Sequence, residues 1–352
     1  MRRAWPMVLV GVLVASVLAG AAVLWSRDRA RGPAASVPAP PATRPAPDPA
    51  TLQLLVDGVV EAGAPGAVAL VRTGQGAWQG ASGLGDLRAR RPARPLDRFR
   101  IGSVTKSFVA TVVLQLVGEG RLGLDDRLQR WLPGLVPDGE RITVRQLLNH
   151  TSGLYDYTDD LLGPLRAKPT LQVYQQMAAR HFTPQALVAM ATRRQPLFPP
   201  GARFSYSNTN YILLVERVSG GGLAAQLQQR ILGPLGLADT ELPGTQRRLH
   251  GPYLHGYAPP DRAWLPSDGP VGLVDVTQAN PSWAWAAGGM VSSAADLARF
   301  YQALLGGRLL RPELLKAMET TVDASGQLGP GAEYGLGAAA ARVGLRRAGL
   351  GS

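Results

Sequence analysis

Phe108, Val109, Val112, Val113, Leu114, Leu116 and Val117 cover the whole circumference of one helical stretch, and no carboxylate occurs in it before Glu119. A helix that is apolar on every side belongs in a protein interior, so the other elements of the fold must surround this one. Its first turn carries Ser103-Val104-Thr105-Lys106, and side chains three apart share a helical face. The positive end of the helix dipole and the low-dielectric surroundings both disfavour an ammonium there, so the Lys106 amine is expected to hold its proton less tightly than usual. Of 37 basic side chains only Lys106, Lys168 and Lys316 are lysine. A guanidinium stays protonated at any working pH, whereas a buried ammonium can be driven neutral. A lysine retained beside a serine therefore points to a proton acceptor rather than a fixed charge.

A serine hydroxyl is a poor nucleophile until a neighbouring base takes its proton. The histidines available for that task are His150, His181, His250 and His255. His150 follows a probable helix and reads as a cation capping the helix end. There is no Gly-x-Ser-x-Gly elbow and no His-Glu-x-x-His helix, which argues against an α/β-hydrolase and a zincin. Lysine as the base needs a group to hold it and a second proton donor, and Tyr206-Ser207-Asn208 can supply both. A phenol beside an ammonium is expected to have its pKa lowered from about 10. The plain alternative packs Phe204, Tyr206 and Tyr211 in the core and uses Asn208 as a turn or helix cap.

The 45% apolar composition is enough for a substantial core, and 352 residues fit one large domain better than two. Ala4 to Trp25 carries no charge and is flanked by Arg2, Arg3, Arg27 and Arg29, so residues 1–26 are expected to be a signal anchor or, given Ala19-Gly20-Ala21, a cleaved signal peptide. Either way the rest is expected outside the cell membrane. Residues 27–50 hold a Pro/Ala-rich linker, with seven prolines between Gly32 and Ala50, and behave as a stiff spacer. The folded part, 51–352, opens as a helix over Thr51 to Gly63 and a hairpin of Ala67–Arg72 and Ala77–Ser82. Helical spacing recurs at Thr143–Asn149, Thr183–Arg193, Tyr211–Val218, Leu223–Leu235 and Ala294–Leu305. Strand signals return near Gly288–Val291 and from Tyr334. The net charge of +12 is diffuse, and six arginines against two aspartates in the first fifty residues hold a third of it. No basic block is interleaved with aromatics, so no nucleic-acid partner is expected. The absence of cysteine excludes disulfides, thiolate metal sites and a cysteine nucleophile.

Three runs taken in order, Phe99-Arg100-Ile101-Gly102-Ser103-Val104-Thr105-Lys106-Ser107-Phe108, Gln146-Leu147-Leu148-Asn149-His150-Thr151-Ser152-Gly153-Leu154 and Tyr206-Ser207-Asn208-Thr209-Asn210-Tyr211, resemble the serine β-lactamase and penicillin-binding protein superfamily. The class C-like secreted D-alanyl-D-alanine carboxypeptidases are the nearest likeness. Leu154-Tyr155-Asp156-Tyr157-Thr158, Ser282-Trp283-Ala284 and Tyr334-Gly335-Leu336-Gly337 extend it over roughly residues 52 to 337. The resemblance implies an α+β, β-lactamase/transpeptidase-like fold: an antiparallel sheet flanked by helices, plus a mostly helical subdomain. It implies acylation of Ser103, Lys106 as base or proton relay, Tyr206 as general acid/base and Asn208 positioning the substrate amide. Trp283 is implied as an aromatic wall, the Ser103 N–H as an oxyanion donor, and Arg342 as the cation for a substrate carboxylate. No metal or organic cofactor is implied, and a monomer is expected.

The superfamily's third motif, Lys-Thr-Gly or His-x-Gly, has no counterpart, since neither lysine nor histidine follows Lys316. The expectation is therefore a domain lacking its last strands and terminal helix, with an open sheet edge. One oxyanion donor would be missing, a loss of about 2.7–4 kcal/mol in transition-state stabilisation. The expected activity is a serine D-Ala-D-Ala carboxypeptidase acting on peptidoglycan stem peptides. The alternatives are a β-lactamase or esterase on the same machinery, and an impaired envelope protein that binds penicillin or peptidoglycan.

Overall fold

The computed structural model describes residues 48–73, 76–167, 171–216, 222–258 and 273–341. The expected signal segment, most of the spacer, Lys168 and Arg342 lie outside them. Among the described residues no helix is long and apolar enough to cross a membrane.

Helix α1 (Pro49–Glu61) starts where the Asp48 carboxylate accepts from Thr51 N, with proline at its first turn. It lays Leu52 and Val56 on a hairpin of β1 (Gly66–Thr73) and β2 (Gly76–Asp86), paired antiparallel from Gly66↔Gly83 to Thr73↔Gly76. This is the expected helix and hairpin, each strand somewhat longer. The helix Ala294–Leu305 packs against β1, capped by Ser293 Oγ accepting from Asp296 N. Among the described residues β1 pairs on one side only, with β2, and lies at the edge of its three-stranded sheet.

Helix α2 (Thr105–Gly118) is the centre of the molecule. Phe108, Val109, Val112, Val113, Leu114 and Leu116 are all 2% exposed or less. Each such side chain contributes roughly 1.5–3 kcal/mol by leaving water. Its all-round apolarity is explained by its neighbours: the segments Trp285–Gly288, Thr209–Glu216 and Leu223–Leu227 pack around it. Phe108 also stacks on Phe300 with centroids 3.7 Å apart. From α2 to Leu235 the named elements are all helical, which is the helical subdomain. The expected helix over Leu223–Leu235 is present but widens into a π-turn at Gln228–Leu232.

Three of the longer helices were not legible in the apolar spacing. Tyr157–Ala167 contains Pro164, which breaks the helical pattern in sequence without ending the helix, and Leu171–Ala179 and Pro312–Glu319 span only two turns or so each. The remaining strands form small antiparallel sheets: Phe99–Arg100 with Val291–Ser292, Tyr257–Ala258 with Val274–Asp275, and Val322–Asp323, Ala332–Tyr334 and Ala339–Ala341 together. Most have two residues, too few to show a period of two. The last sheet is tied to α2 by Gly337, whose N–H donates to Leu148 O while its carbonyl accepts from Ser107 Oγ at 2.8 Å. Gly337 sits at φ 85°, and a Cβ there would lie 2.3 Å from the Ala110 methyl, so the close approach requires glycine.

Candidate active site

The chain enters α2 through a 3₁₀ turn, Gly102–Val104, that leaves Ser103 partly open to solvent and sends Lys106 inward. Lys106 is completely buried. Its Nζ has three partners: Ala287 O at 2.6 Å, Asn208 Oδ1 at 2.9 Å and Ser103 Oγ at 3.3 Å. Burial pulls the Lys106 amine down from 10.5 to about 7, with the Asp156 carboxylate partly opposing the shift. The amine is thus near half-neutral at neutral pH. Two of its partners, the carbonyl and amide oxygens, can only accept. A neutral amine therefore gives its two hydrogens to them and turns its lone pair toward Ser103 Oγ.

Tyr206 donates its phenolic hydrogen to the same Ser103 Oγ at 2.7 Å. The expected lowering of this phenol does not occur: burial pushes Tyr206 above its usual value, the hydrogen bond to Ser103 only partly offsets this, and the charge of Asp156 adds to the rise. Desolvation is the largest influence on this phenol, and the neighbouring amine is itself only partly charged at neutral pH. Tyr206 is a neutral hydrogen-bond donor.

Asn208 lies just before the helix Thr209–Glu216, and its side-chain oxygen accepts from Lys106 Nζ at 2.9 Å. Its Oδ1 faces Lys106 and its Nδ2 donates to Asp156 Oδ2 at 2.8 Å. Tyr211 packs behind, its hydroxyl donating to Leu148 O, so the core reading holds for Tyr211 and fails for Tyr206 and Asn208. Gln327 accepts from the Tyr206 N–H at 2.8 Å and braces the segment from the far side.

His150 is not a helix-capping cation. It is fully buried at φ 59°, and burial together with the nearby Lys106 holds its pKa well below 6.5. Its Nδ1 accepts from Ser207 N at 3.2 Å and its carbonyl accepts from Ser205 N at 2.8 Å, so one residue holds the backbone on both sides of Tyr206. The imidazole lies 4.3 Å from the Tyr206 ring. Trp283 is 7% exposed and belongs to the main core, its carbonyl accepting from the Tyr157 hydroxyl at 2.6 Å.

The structure therefore brings Ser103, Lys106, Tyr206 and Asn208 into one hydrogen-bonded cluster. Asp156 and the Ala287 carbonyl join them with no role assigned from sequence, and His150 joins them in place of the helix-capping role expected of it. The only signal for Asp156 was a carboxylate set among aromatics in Tyr155-Asp156-Tyr157. Chemically, Ser103 Oγ can give its proton to Lys106 while Tyr206 holds a proton ready on the same oxygen.

The sequence profile of the Beta-lactamase family matches residues 52–349. The chain belongs to that family. Esterase EstB from Burkholderia gladioli is 33% identical over 271 residues, 71% of this chain and 68% of the esterase. Several other curated relatives are matched over 63% of their length or less. Among solved structures, a D-stereospecific amidohydrolase from Streptomyces sp. superposes with a TM-score of 0.75 at 41% identity, covering 85% of this chain and 84% of that one. A D-amino acid amidase from Ochrobactrum anthropi SV3, complexed with D-phenylalanine, gives 0.73 at 30% identity, covering 84% and 82%. The fold is the β-lactamase/transpeptidase-like one, and the Beta-lactamase family membership makes the chain a member of a serine hydrolase superfamily.

Proposed function

We propose that the protein is a serine hydrolase that cleaves an amide at a D-configured residue through an acyl-enzyme on Ser103. The observation that carries this reading is Ser103 Oγ held between Lys106 Nζ at 3.3 Å and the Tyr206 hydroxyl at 2.7 Å. The likeness to D-stereospecific amide hydrolases supports the substrate class. Ser103 Oγ adds to the carbonyl carbon as its proton passes to Lys106. Collapse breaks the carbon–nitrogen bond, and the leaving nitrogen takes the Tyr206 proton, which the Lys106 ammonium restores. Water then cleaves the ester by the same route in reverse. The Ser103 N–H serves the oxyanion, Trp283 would be an aromatic wall of the cleft, and Arg342 would meet a terminal carboxylate.

D-Ala-D-Ala carboxypeptidase action on peptidoglycan stem peptides is the specific form we favour. The uncharged run Ala4 to Trp25 between arginines supports a site of action outside the cytoplasmic membrane, secreted or anchored. A second reading, ester hydrolysis or β-lactam cleavage, draws on the similarity to EstB and uses the same residues. The test is a panel of D- and L-amino-acid amides, a peptide ending in D-Ala-D-Ala, a p-nitrophenyl ester and a chromogenic cephalosporin. Turnover of D-amides over L-amides, with release of D-Ala from the peptide and loss of both in Ser103→Ala, is the expected result. A preference for L-amides, or activity persisting in Ser103→Ala, overturns the reading.

A further inference from the structure

We propose that Asp156 is a positioning residue: by fixing which end of the Asn208 amide faces Lys106, it keeps the amine lone pair on Ser103. An asparagine amide is nearly symmetric in shape, and either its oxygen or its nitrogen could lie against Nζ. In the first orientation the oxygen accepts from Lys106 and the lone pair is left for Ser103. In the reverse, the amide N–H donates into that lone pair, and the base is consumed by a residue that gives it no proton to carry. Something must choose between them.

The neighbours of Asn208 show what chooses. Lys106 cannot in the neutral form that acts as base, since a neutral amine pairs with either end, whereas its ammonium pairs with the oxygen alone. The Thr158 hydroxyl, 3.5 Å from Nδ2, donates or accepts equally well. Only the Asp156 carboxylate is acceptor-only, and its Oδ2 takes the Nδ2 hydrogen at 2.8 Å. Asp156 is itself fixed, because its Oδ1 accepts from Thr158 N at 3.0 Å. The relay is continuous: Thr158 N–H holds Asp156, Asp156 holds Asn208, and Asn208 holds Lys106.

Asp156 also supplies the carboxylate field on Lys106, which raises the affinity of the amine for its proton. Burial raises the Asp156 carboxyl above its usual value, and the hydrogen bonds from Thr158 and Asn208 and the charge of Lys106 oppose that rise and favour the carboxylate. The remaining groups around the amine carry no charge at neutral pH. The Tyr206 and Tyr211 rings lie 4.7 and 5.5 Å from Nζ with phenols pushed up by burial, and His150, Tyr157 and Tyr334 are neutral for the same reason. The segment Trp285–Gly288 presents only the Ala287 carbonyl. On α2 itself no carboxylate occurs. Removing the Asp156 charge, and freeing the amide to flip, both favour neutral amine. The two effects have the same sign.

The proposal rests on the acyl-enzyme reading for its meaning, and the first part of its test does not need a substrate. With three lysines in the chain, protein labelled with ¹⁵N at lysine Nζ gives three side-chain signals, and Ser103→Ala or Lys106→Arg assigns the buried one. The expected result is that Lys106 titrates near 7 in the full-length protein and at least about 0.5 pH unit lower in Asp156→Asn. The acylation rate by a p-nitrophenyl ester is expected to fall by roughly 10-fold or more in the same variant, with Asn208→Ala adding little further loss in the double variant. Should Asp156→Asn unfold, Asp156→Ser serves in its place. An unmoved Lys106 titration in a folded variant, or losses in Asp156→Asn and Asn208→Ala that simply add, overturns the proposal. A normal Lys106 titration with inactive protein would instead count against the catalytic reading as a whole.

Discussion

Lys106 Nζ donates to the Ala287 carbonyl at 2.6 Å, the shortest of its three contacts, and this bond ties the first turn of α2 to the segment Trp285–Gly288. The amine is anchored from a part of the chain 181 residues away, so its lone pair cannot swing toward solvent.

Replacing Lys106 by methionine is expected to abolish acylation and to change how stability depends on pH. The folded-state value of about 7 lies below the unfolded 10.5, so between those values the unfolded chain binds the extra proton. Stability therefore rises with pH across that window, by about 1.4 kcal/mol per pH unit, while below 7 the burial cost is present in full. The stability difference between wild type and Lys106→Met, followed by urea unfolding from pH 6.5 to 10, should grow in favour of wild type as pH rises. A flat difference would mean that the amine is not desolvated.

Tyr206→Phe is expected to lower kcat/KM by roughly 10²–10⁴-fold with an unchanged melting temperature, because it removes a proton donor and no packing volume. The raised phenol makes a second, sharper statement. Activity should climb through pH 7 as Lys106 becomes neutral and should not fall again near pH 10, where an ordinary tyrosine would ionise. A descending limb centred at or below 10 in the wild type, absent from Tyr206→Phe, would return the phenol to the lowered state that the sequence suggested.

The pairing of Ser103 with Lys106 was legible because their relationship is local. Two side chains three apart on a helix meet whatever the rest of the chain does, and an all-apolar circumference can mean only burial. The plain reading of Asn208 as a cap failed because a cap is a local choice, and here an amine 102 residues away takes the oxygen that a cap would use. His150 was misread for a related reason. A histidine after a helix is a cation when wet, but the aromatic rings of Tyr206, Tyr211 and Tyr334 close over this one, and only the fold supplies them. Two-residue strands such as Val322–Asp323 carry no period to detect.

His150 also makes an acid-side prediction. Its folded-state pKa lies well below the unfolded 6.5, so below that pH the unfolded chain binds a proton that the folded one refuses. Stability is lost on acidification from 6.5 downward, by up to about 1.4 kcal/mol per pH unit from this group. His150→Gln removes the titration, so its stability should fall less steeply than wild type between pH 6.5 and 5 even though it starts lower. Parallel curves would show that the imidazole is solvated.

Gly337→Ala tests how the last small sheet supports the base. An added methyl would meet Ala110 Cβ at 2.3 Å, the Tyr211 hydroxyl at 3.0 Å and the Lys106 carbonyl at 3.1 Å, at a backbone φ of 85° that alanine disfavours. None of these neighbours is the free end of a flexible chain, since Tyr211 is hydrogen-bonded to Leu148 O and Ala110 is on α2. Relief must come from moving the sheet or the first turn of α2, and overpacking of this kind costs roughly 1–3 kcal/mol. Because Lys106 lies in that turn, the variant should lose acylation rate as well as several degrees of melting temperature. Stability lost with acylation intact would mean that the sheet yields and α2 does not, and that the strands from Ala332 to Ala341 hold the fold together without holding the site.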